Sequence, residues 1–160
     1  MNAKLHGEWI DCDQDADSIY DEIQQMLDAS PEPRPEEFAI HDFEGWEGLS
    51  LHEHENIDDV AKAGQLIAEH GAVFAAVLGH CGGIDYITDA TNILTENYNG
   101  CYDTLEDWAF DHIESTGALQ NLPENLHCYF DHAAFGRDCE LSGEIFTIAA
   151  AGQVHVFWSC

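Results

Sequence analysis

Carboxylates without cationic partners constrain this chain more than any other feature. Its 160 residues include 32 Asp and Glu but only 4 Lys and Arg, which gives a formal net charge of −28. Burying an unpaired carboxylate is costly, so most of these side chains must lie on the surface of the folded protein. The core must then be built from the apolar residues, whose share of the sequence is ordinary at 45%.

The resulting negative field limits the possible partners. It repels nucleic acid and anionic membranes, and it attracts basic clefts. DNA carries one charge per ~1.7 Å of its axis, so the charge of this chain corresponds to roughly 14 base pairs. Two explanations stay open on composition alone. The surface imitates DNA, or it keeps the protein soluble, as in salt-adapted organisms.

The N-terminal part predicts two strands and one helix. Residues 5–10 and 38–43 have the apolar, alternating character of short strands. Between them, Asp15 is expected to cap a helix whose apolar face continues to Leu27. The proline-rich residues 30–35 end this helix and form a rigid connection.

The middle of the chain predicts mainly helices. Asn56 is expected to cap a second helix, which ends at His70 and Gly71. Residues 72–78 are apolar and predict a short buried helix. Residues 94–102 contain Asn and Gly, which favour a turn or an irregular strand.

The C-terminal part predicts two helices and a β-hairpin. Thr104 is expected to cap a helix that stops at Gly117. Residues 121–141 predict one amphipathic helix, and residues 144–148 and 153–158 predict the hairpin. The apolar stripe of the helix is formed by Leu126, Tyr129, Phe130 and Ala133. The expected fold class is therefore α+β.

Three short motifs lie in this C-terminal part. In chain order they are Leu122-Pro123-x-x-Leu126-x-x-Tyr129-Phe130-Asp131, Gly136-Arg137-Asp138 and Leu141-Ser142-Gly143. Together they closely resemble the C-terminal motif of the ArdA antirestriction proteins. Residues 5–9, 38–44 and 113–119 resemble the same family, so the resemblance covers nearly the whole chain.

The resemblance implies a cytoplasmic antirestriction protein of a mobile genetic element, which mimics DNA and occupies the DNA-binding cleft of Type I restriction-modification enzymes. It implies an elongated chain of three subdomains. These are an N-terminal α/β subdomain (1–55), a helical middle (56–102) and a C-terminal α/β subdomain (103–160) that forms a homodimer. The family has a further strand before residue 5, so we expect the first sheet to be incomplete.

Under this hypothesis the working surface is an array of carboxylates and no pocket is needed. The expected partner-binding residues are Asp58, Asp59, Glu69, Asp85, Asp89, Asp103, Glu106, Asp107, Asp111 and Glu114. The expected motif and dimer residues are Leu126, Tyr129, Phe130, Asp131, Arg137 and Asp138. We expect Arg137 to pair with a nearby carboxylate or to cap carbonyl groups. No catalytic site and no cofactor are expected, because the chain has no P-loop, nucleophile elbow or dinucleotide fingerprint.

Two other classes of protein stay open. One is a calcium- or metal-binding protein, since residues 11–22 superficially match an EF-hand loop, although Ala16 replaces the required glycine. Possible metal ligands also occur at residues 52–55 (His-Glu-His-Glu) and 80–81 (His-Cys). Neither group has the spacing of a four-ligand zinc site. The other class is an acidic decoy for a different basic DNA-binding protein.

The six cysteines include no C-x-x-C pair, so we expect reduced thiols.

Overall fold

Residues 6–32 and 37–159 are described by the structure, a computed structural model. Their helices are α1 (Ala16–Asp28), α2 (Ile57–His70), α3 (Ala72–Cys81), α4 (Ile87–Asn92), α5 (Leu105–Thr116), α6 (Glu124–His127) and α7 (His132–Ser142). Their strands are β1 (Tyr98–Tyr102), β2 (Ile145–Ala150) and β3 (Gln153–Trp158). A 3₁₀ turn (Ile84–Tyr86) precedes α4, and a π-helical turn (Ile93–Asn97) follows it. The mixed helices and antiparallel sheet confirm the α+β class.

The backbone divides into two compact units, Met1–Ile87 and Thr88–Cys160, called the N-terminal and C-terminal units below. The predicted division into three subdomains stays a prediction. Within the described ranges, no helix is long and apolar enough to cross a membrane.

The N-terminal unit is built on helices whose caps were predicted correctly. The Asp15 side chain accepts a hydrogen bond from the Ser18 amide and starts α1, and Asn56 accepts one from the Asp58 amide and starts α2. The apolar faces of α1 and α2 then pack together. The buried cluster between them consists of Ile19, Ile23, Ile57 and Ala61.

The C-terminal unit contains an antiparallel sheet with the order β1-β3-β2. The turn between β2 and β3 has positive φ at Ala151 and at Gly152, which matches the right-handed twist of a tight hairpin. Helices α5 and α7 pack against each other and against this sheet. The buried residues of this core are Trp108, Ala109, Cys139, Ile145 and Val156.

The strands predicted in the N-terminal unit are not formed. Residues 6–10 and 38–43 have no strand structure, and Leu5 lies outside the described residues. The only backbone–backbone hydrogen bond of residues 38–43 that the structure describes runs from the Ile40 amide to the Glu53 carbonyl, at 2.9 Å. Alternating side chains indicate a strand only where a neighbouring strand supplies the ladder, and no such neighbour is described here.

The single helix predicted for residues 121–141 is also wrong, because the chain forms α6 and α7 instead. The break occurs at Asp131, whose carboxylate accepts a hydrogen bond from the Ala134 amide at 2.9 Å and caps α7. A capping aspartate has non-helical dihedral angles, so it interrupts a continuous helix. The predicted apolar stripe is consequently not buried within the chain: Tyr129 is 81% exposed and Leu126 is 43% exposed.

Gly136 has a packing role that the sequence did not reveal. It is buried where α7 meets α5, and a Cβ atom added there would lie 3.1 Å from the Leu105 carbonyl oxygen and 3.4 Å from the Ala109 Cβ. The glycine therefore permits the two helices to approach closely, although it lowers the intrinsic helix propensity.

Candidate acidic binding surface

The acidic residues predicted to bind a partner lie at the surface. All of them are exposed except Asp59, which is half-buried. The N-terminal unit carries Asp58, Asp59, Glu69 and Asp85. The C-terminal unit carries Asp89, Asp103, Glu106, Asp107, Asp111 and Glu114.

Helix α5 presents the densest group of these residues. Its buried face contains Trp108 and Ile113, so the acidic side chains project from the remaining surface. Asp107, Asp111 and Glu114 follow one another at steps of four and three residues, which places them in one row along the helix. The rise of ~1.5 Å per residue separates neighbouring members of the row by about 5–6 Å.

Hydrogen bonds fix parts of this row. The Asp107 amide donates to Thr104 Oγ1 at 3.2 Å, and the Thr104 hydroxyl donates to Asp107 Oδ2 at 2.6 Å. The Tyr102 hydroxyl donates to Asp111 Oδ2 at 3.1 Å. Burial and this hydrogen bond raise the pKa of Tyr102, so the tyrosine stays a neutral donor. These hydrogen bonds orient the carboxylates of Asp107 and Asp111.

In the N-terminal unit the acidic side chains lie at both ends of α2. Asp58 and Asp59 occupy its first turn, where negative charge is stabilised by the helix dipole. Glu69 lies near its C-terminal end, where the dipole opposes negative charge. Its Oε2 is 3.9 Å from Nε2 of His70. Asp85 belongs to the 3₁₀ turn and is exposed.

Cations do not neutralise this surface in the described part of the chain. Lys62 and Arg137 are both exposed, and neither forms an ion pair with a described carboxylate. The expected pairing of Arg137 with a carboxylate is therefore wrong for the described residues.

Three carboxylates of the segment that resembles a calcium loop form hydrogen bonds within that segment. Asp15 caps α1, Asp11 Oδ1 accepts from the Asp13 amide at 2.9 Å, and Glu22 accepts from the Gln14 amide group. Ala16, at the position of the required glycine, is the first residue of α1. Within residues 6–32 and 37–159, no group of three or more His, Cys, Asp or Glu side chains is arranged to hold a metal ion.

One thiol–imidazole contact was not predicted. Cys101 and His155 are directly opposite each other on β1 and β3, with Sγ 3.9 Å from Nε2. Nδ1 of His155 is 3.0 Å from the Tyr98 hydroxyl. The Cys101 thiol donates to Gln153 Oε1 over the shorter distance of 3.1 Å, so it is not directed to the imidazole as in a nucleophile–base pair. Only the strand register could have revealed this contact.

Comparison with models of known protein families shows the family to which the chain belongs. The family model described as antirestriction protein (ArdA) matches residues 1–152. The chain belongs to the ArdA family. This membership implies an antirestriction function, exerted against restriction enzymes. No curated protein matches the chain significantly.

The residues that resemble the ArdA C-terminal motif run from the turn before α6, through α6 and α7, to the C-cap of α7 at Gly143. Asp131 caps α7, Phe130 is half-buried, and Arg137 and Asp138 are exposed. Several apolar side chains in and beside the motif are exposed to solvent. They are Leu122 (46%), Leu126 (43%), Tyr129 (81%) and Leu141 (78%).

Proposed function

We propose that this ArdA protein inhibits Type I restriction-modification enzymes by imitating DNA with its carboxylates. The supporting observation is that the predicted acidic residues, apart from the half-buried Asp59, are exposed in both units and form no ion pair with the described Lys and Arg. A cleft that binds phosphates attracts such carboxylates, and release of counterions from both surfaces adds to the affinity. The surface presents no base edges, so inhibition does not depend on the recognition sequence of the enzyme.

Charge density indicates how much of the protein must take part. The row on α5 supplies one charge per about 5–6 Å, whereas duplex DNA carries one per ~1.7 Å. A single row of this kind therefore reaches roughly a third of the charge density of DNA. We infer that several elements contribute and that the acidic residues of both units bind the enzyme together.

The helix ends support this interpretation independently. Acidic residues occupy the last turns of α1, α5 and α7 at Asp28, Glu114 and Glu140, and none of these turns contains a basic residue. Each such carboxylate opposes the helix dipole, at a cost of about 0.3–1 kcal/mol when exposed. Residues that break a local stability rule are expected at functional sites, so these carboxylates fit a binding role.

The motif region fits a role in forming a homodimer. Leu122, Leu126, Tyr129 and Leu141 expose apolar surface within about 20 residues of the sequence. Association of two copies through this region would remove that surface from water.

We propose that the protein acts in the cytoplasm, because restriction enzymes meet the incoming DNA of a mobile element there.

A binding competition tests the proposal. The purified protein is immobilised and incubated with a Type I methyltransferase core, and duplex DNA containing the recognition site is then added. We expect the core to bind and to be released by DNA, and we expect the protein itself not to bind DNA. A complex between this protein and duplex DNA, or a methyltransferase core that binds DNA and the protein at the same time, would contradict mimicry.

A further inference from the structure

A large cleft lies within the N-terminal unit. It has a volume of about 1510 Å³ and is lined by α1, α2 and the non-helical residues 6–13 and 37–46. Pockets for small molecules usually measure ~300–1,000 Å³, so this cleft exceeds the usual size of such a site. Its volume is sufficient for a peptide segment.

The floor of the cleft is apolar and its mouth is aromatic. Ile19, Ile23 and Val60 line it and are buried. Trp9 and Phe38 also line it, and they are 63% and 37% exposed. Apolar surface of this extent is expected where a protein binds a partner, because leaving it in water is unfavourable.

Carboxylates supply the formal charge of the described residues that line the cleft. No Lys or Arg is among the described residues that line it. The exposed carboxylates along its edge include Glu8, Asp11, Glu37, Asp42, Glu44 and Glu53. An occupant that fits both the floor and the edge must combine apolar groups with positive charges.

The backbone beside the cleft has unused hydrogen-bonding capacity. Residues 37–44 form neither helix nor strand. Within the described part of the chain, the Ile40 amide makes their one backbone–backbone hydrogen bond, and the Phe43 amide donates to Asp42 Oδ1. An added peptide can bind such a segment through main-chain hydrogen bonds, while its alternate side chains enter pockets.

We propose that this cleft binds an extended peptide segment in which basic and apolar side chains alternate. Successive side chains of an extended chain point to opposite sides. The apolar side chains would pack on the floor between α1 and α2, and the basic side chains would reach the carboxylates at the edge. This inference does not depend on the target of the acidic surface.

Synthetic peptides of about eight residues, the length of an ordinary strand, provide the probes. One alternates Lys and Val, a second alternates Lys and Ser, and a third alternates Glu and Val, all with blocked ends. Calorimetry at physiological ionic strength should show saturable one-to-one binding of the Lys–Val peptide. Its affinity should be about tenfold or more above that of the Lys–Ser peptide. Amide signals of residues 37–44 should shift in NMR spectra.

Matched variants separate the cleft from the general negative charge. Ala68→Phe places a larger side chain on an exposed, cleft-lining position of α2, and Gln65→Phe does so on the same helix outside the lining. Ala68→Phe should weaken Lys–Val binding about tenfold, and Gln65→Phe should leave it unchanged. Neutralising Asp42 and Glu53 together should also weaken it, whereas neutralising Asp17 and Asp21, which are exposed and do not line the cleft, should not.

Equal binding of the Lys–Val and Lys–Ser peptides would overturn the proposal, because the affinity would then reflect charge alone. Binding that Ala68→Phe and the Asp42 and Glu53 pair both leave unaltered would overturn it as well. If Ala68→Phe fails to fold, the charge pair and its control still decide the outcome.

Discussion

The two units differ in what holds their backbones in place. In the C-terminal unit, a three-stranded ladder with α5 and α7 packed on it surrounds a continuous core. In the N-terminal unit, α2 packs against both α1 and α3. The described residues 6–13 and 37–46 form no strand ladder there and line a large cleft. Both units display carboxylates on helices. The difference teaches that helices present charge and bury apolar side chains in both units, as Phe74 and Val77 show in the N-terminal one. What the N-terminal unit lacks among its described residues is a ladder that holds its non-helical segments against that core.

The largest expected effect is the loss of stability when a buried tryptophan is replaced by alanine, and we compare one tryptophan from each unit. Trp108 is 1% exposed, lies in the core and donates from Nε1 to Asn99 at 2.8 Å. Trp108→Ala should lower the free energy of unfolding by about 3–5 kcal/mol. Trp46 is also buried but borders the cleft, so Trp46→Ala should cost only about 1–2 kcal/mol.

Urea unfolding followed by circular dichroism measures these two changes, and hydrogen exchange assigns each loss to its unit. Equal losses for both variants would contradict the comparison, since they would show that the N-terminal unit is packed as tightly as the C-terminal one.

A smaller effect tests the contact between α2 and the segment before α1. A Cβ atom added at Gly64 would lie 2.4 Å from the Cys12 carbonyl oxygen, whereas one added at Gly79 would lie 3.5 Å from Leu49 Cδ2. Gly64→Ala should therefore destabilise the protein by about 1–3 kcal/mol. Gly79→Ala should be neutral or stabilising by up to ~1 kcal/mol. Thermal unfolding of both variants provides the measurement, and a stabilising Gly64→Ala would show that residue 12 moves freely away from α2.

The smallest effect concerns the helix caps. Hydrogen bonds from the Ser18 amide and hydroxyl lower the pKa of Asp15 below its ordinary value of 3.8. Because the folded state has the lower pKa, this cap stabilises α1 fully above pH 3.8 and loses its effect as the pH falls below that value. Thr104, which caps α5, has a hydroxyl that does not titrate in this range.

Hydrogen exchange of the α1 amides across this acid range measures the effect. Asp15→Asn keeps a capping group but removes the titration, so its α1 should lack the pH dependence. An unchanged pH dependence in Asp15→Asn would show that another group is responsible.

Much of the fold could be predicted because its signals are local. The caps at Asp15, Asn56 and Thr104 are confirmed, since each side chain bonds to an amide two or three residues away. The hairpin of β2 and β3 is confirmed for the same reason, because its partner strand follows after two residues. The predictions of the N-terminal strands and of one continuous helix were wrong. Strands depend on partners that are distant in the sequence, and the helix is interrupted by the competing cap at Asp131.

The acidic surface could be predicted only in outline. A shortage of cations requires exposed carboxylates wherever they occur in the sequence, and this expectation is met by all the proposed residues except the half-buried Asp59. The row on α5 follows from helical spacing. The cleft of the N-terminal unit could not be predicted, because it arises from the way non-adjacent segments pack and no residue motif encodes it.

The central claim, a distributed carboxylate surface, is tested most directly by grouped neutralisation in each unit. One variant changes Asp103, Glu106, Asp107 and Asp111 to their amides, and its counterpart changes Asp58, Asp59, Glu69 and Asp85. Affinity for a Type I methyltransferase core is measured against salt concentration, with Asp58→Asn as the single-site control. Each exposed charge pair is worth only ~0.2–1 kcal/mol, so we expect a clear loss in both grouped variants, a shallower salt dependence and little change in Asp58→Asn. Loss of all inhibition from one substitution in a folded protein, or no loss from either group, would contradict the account.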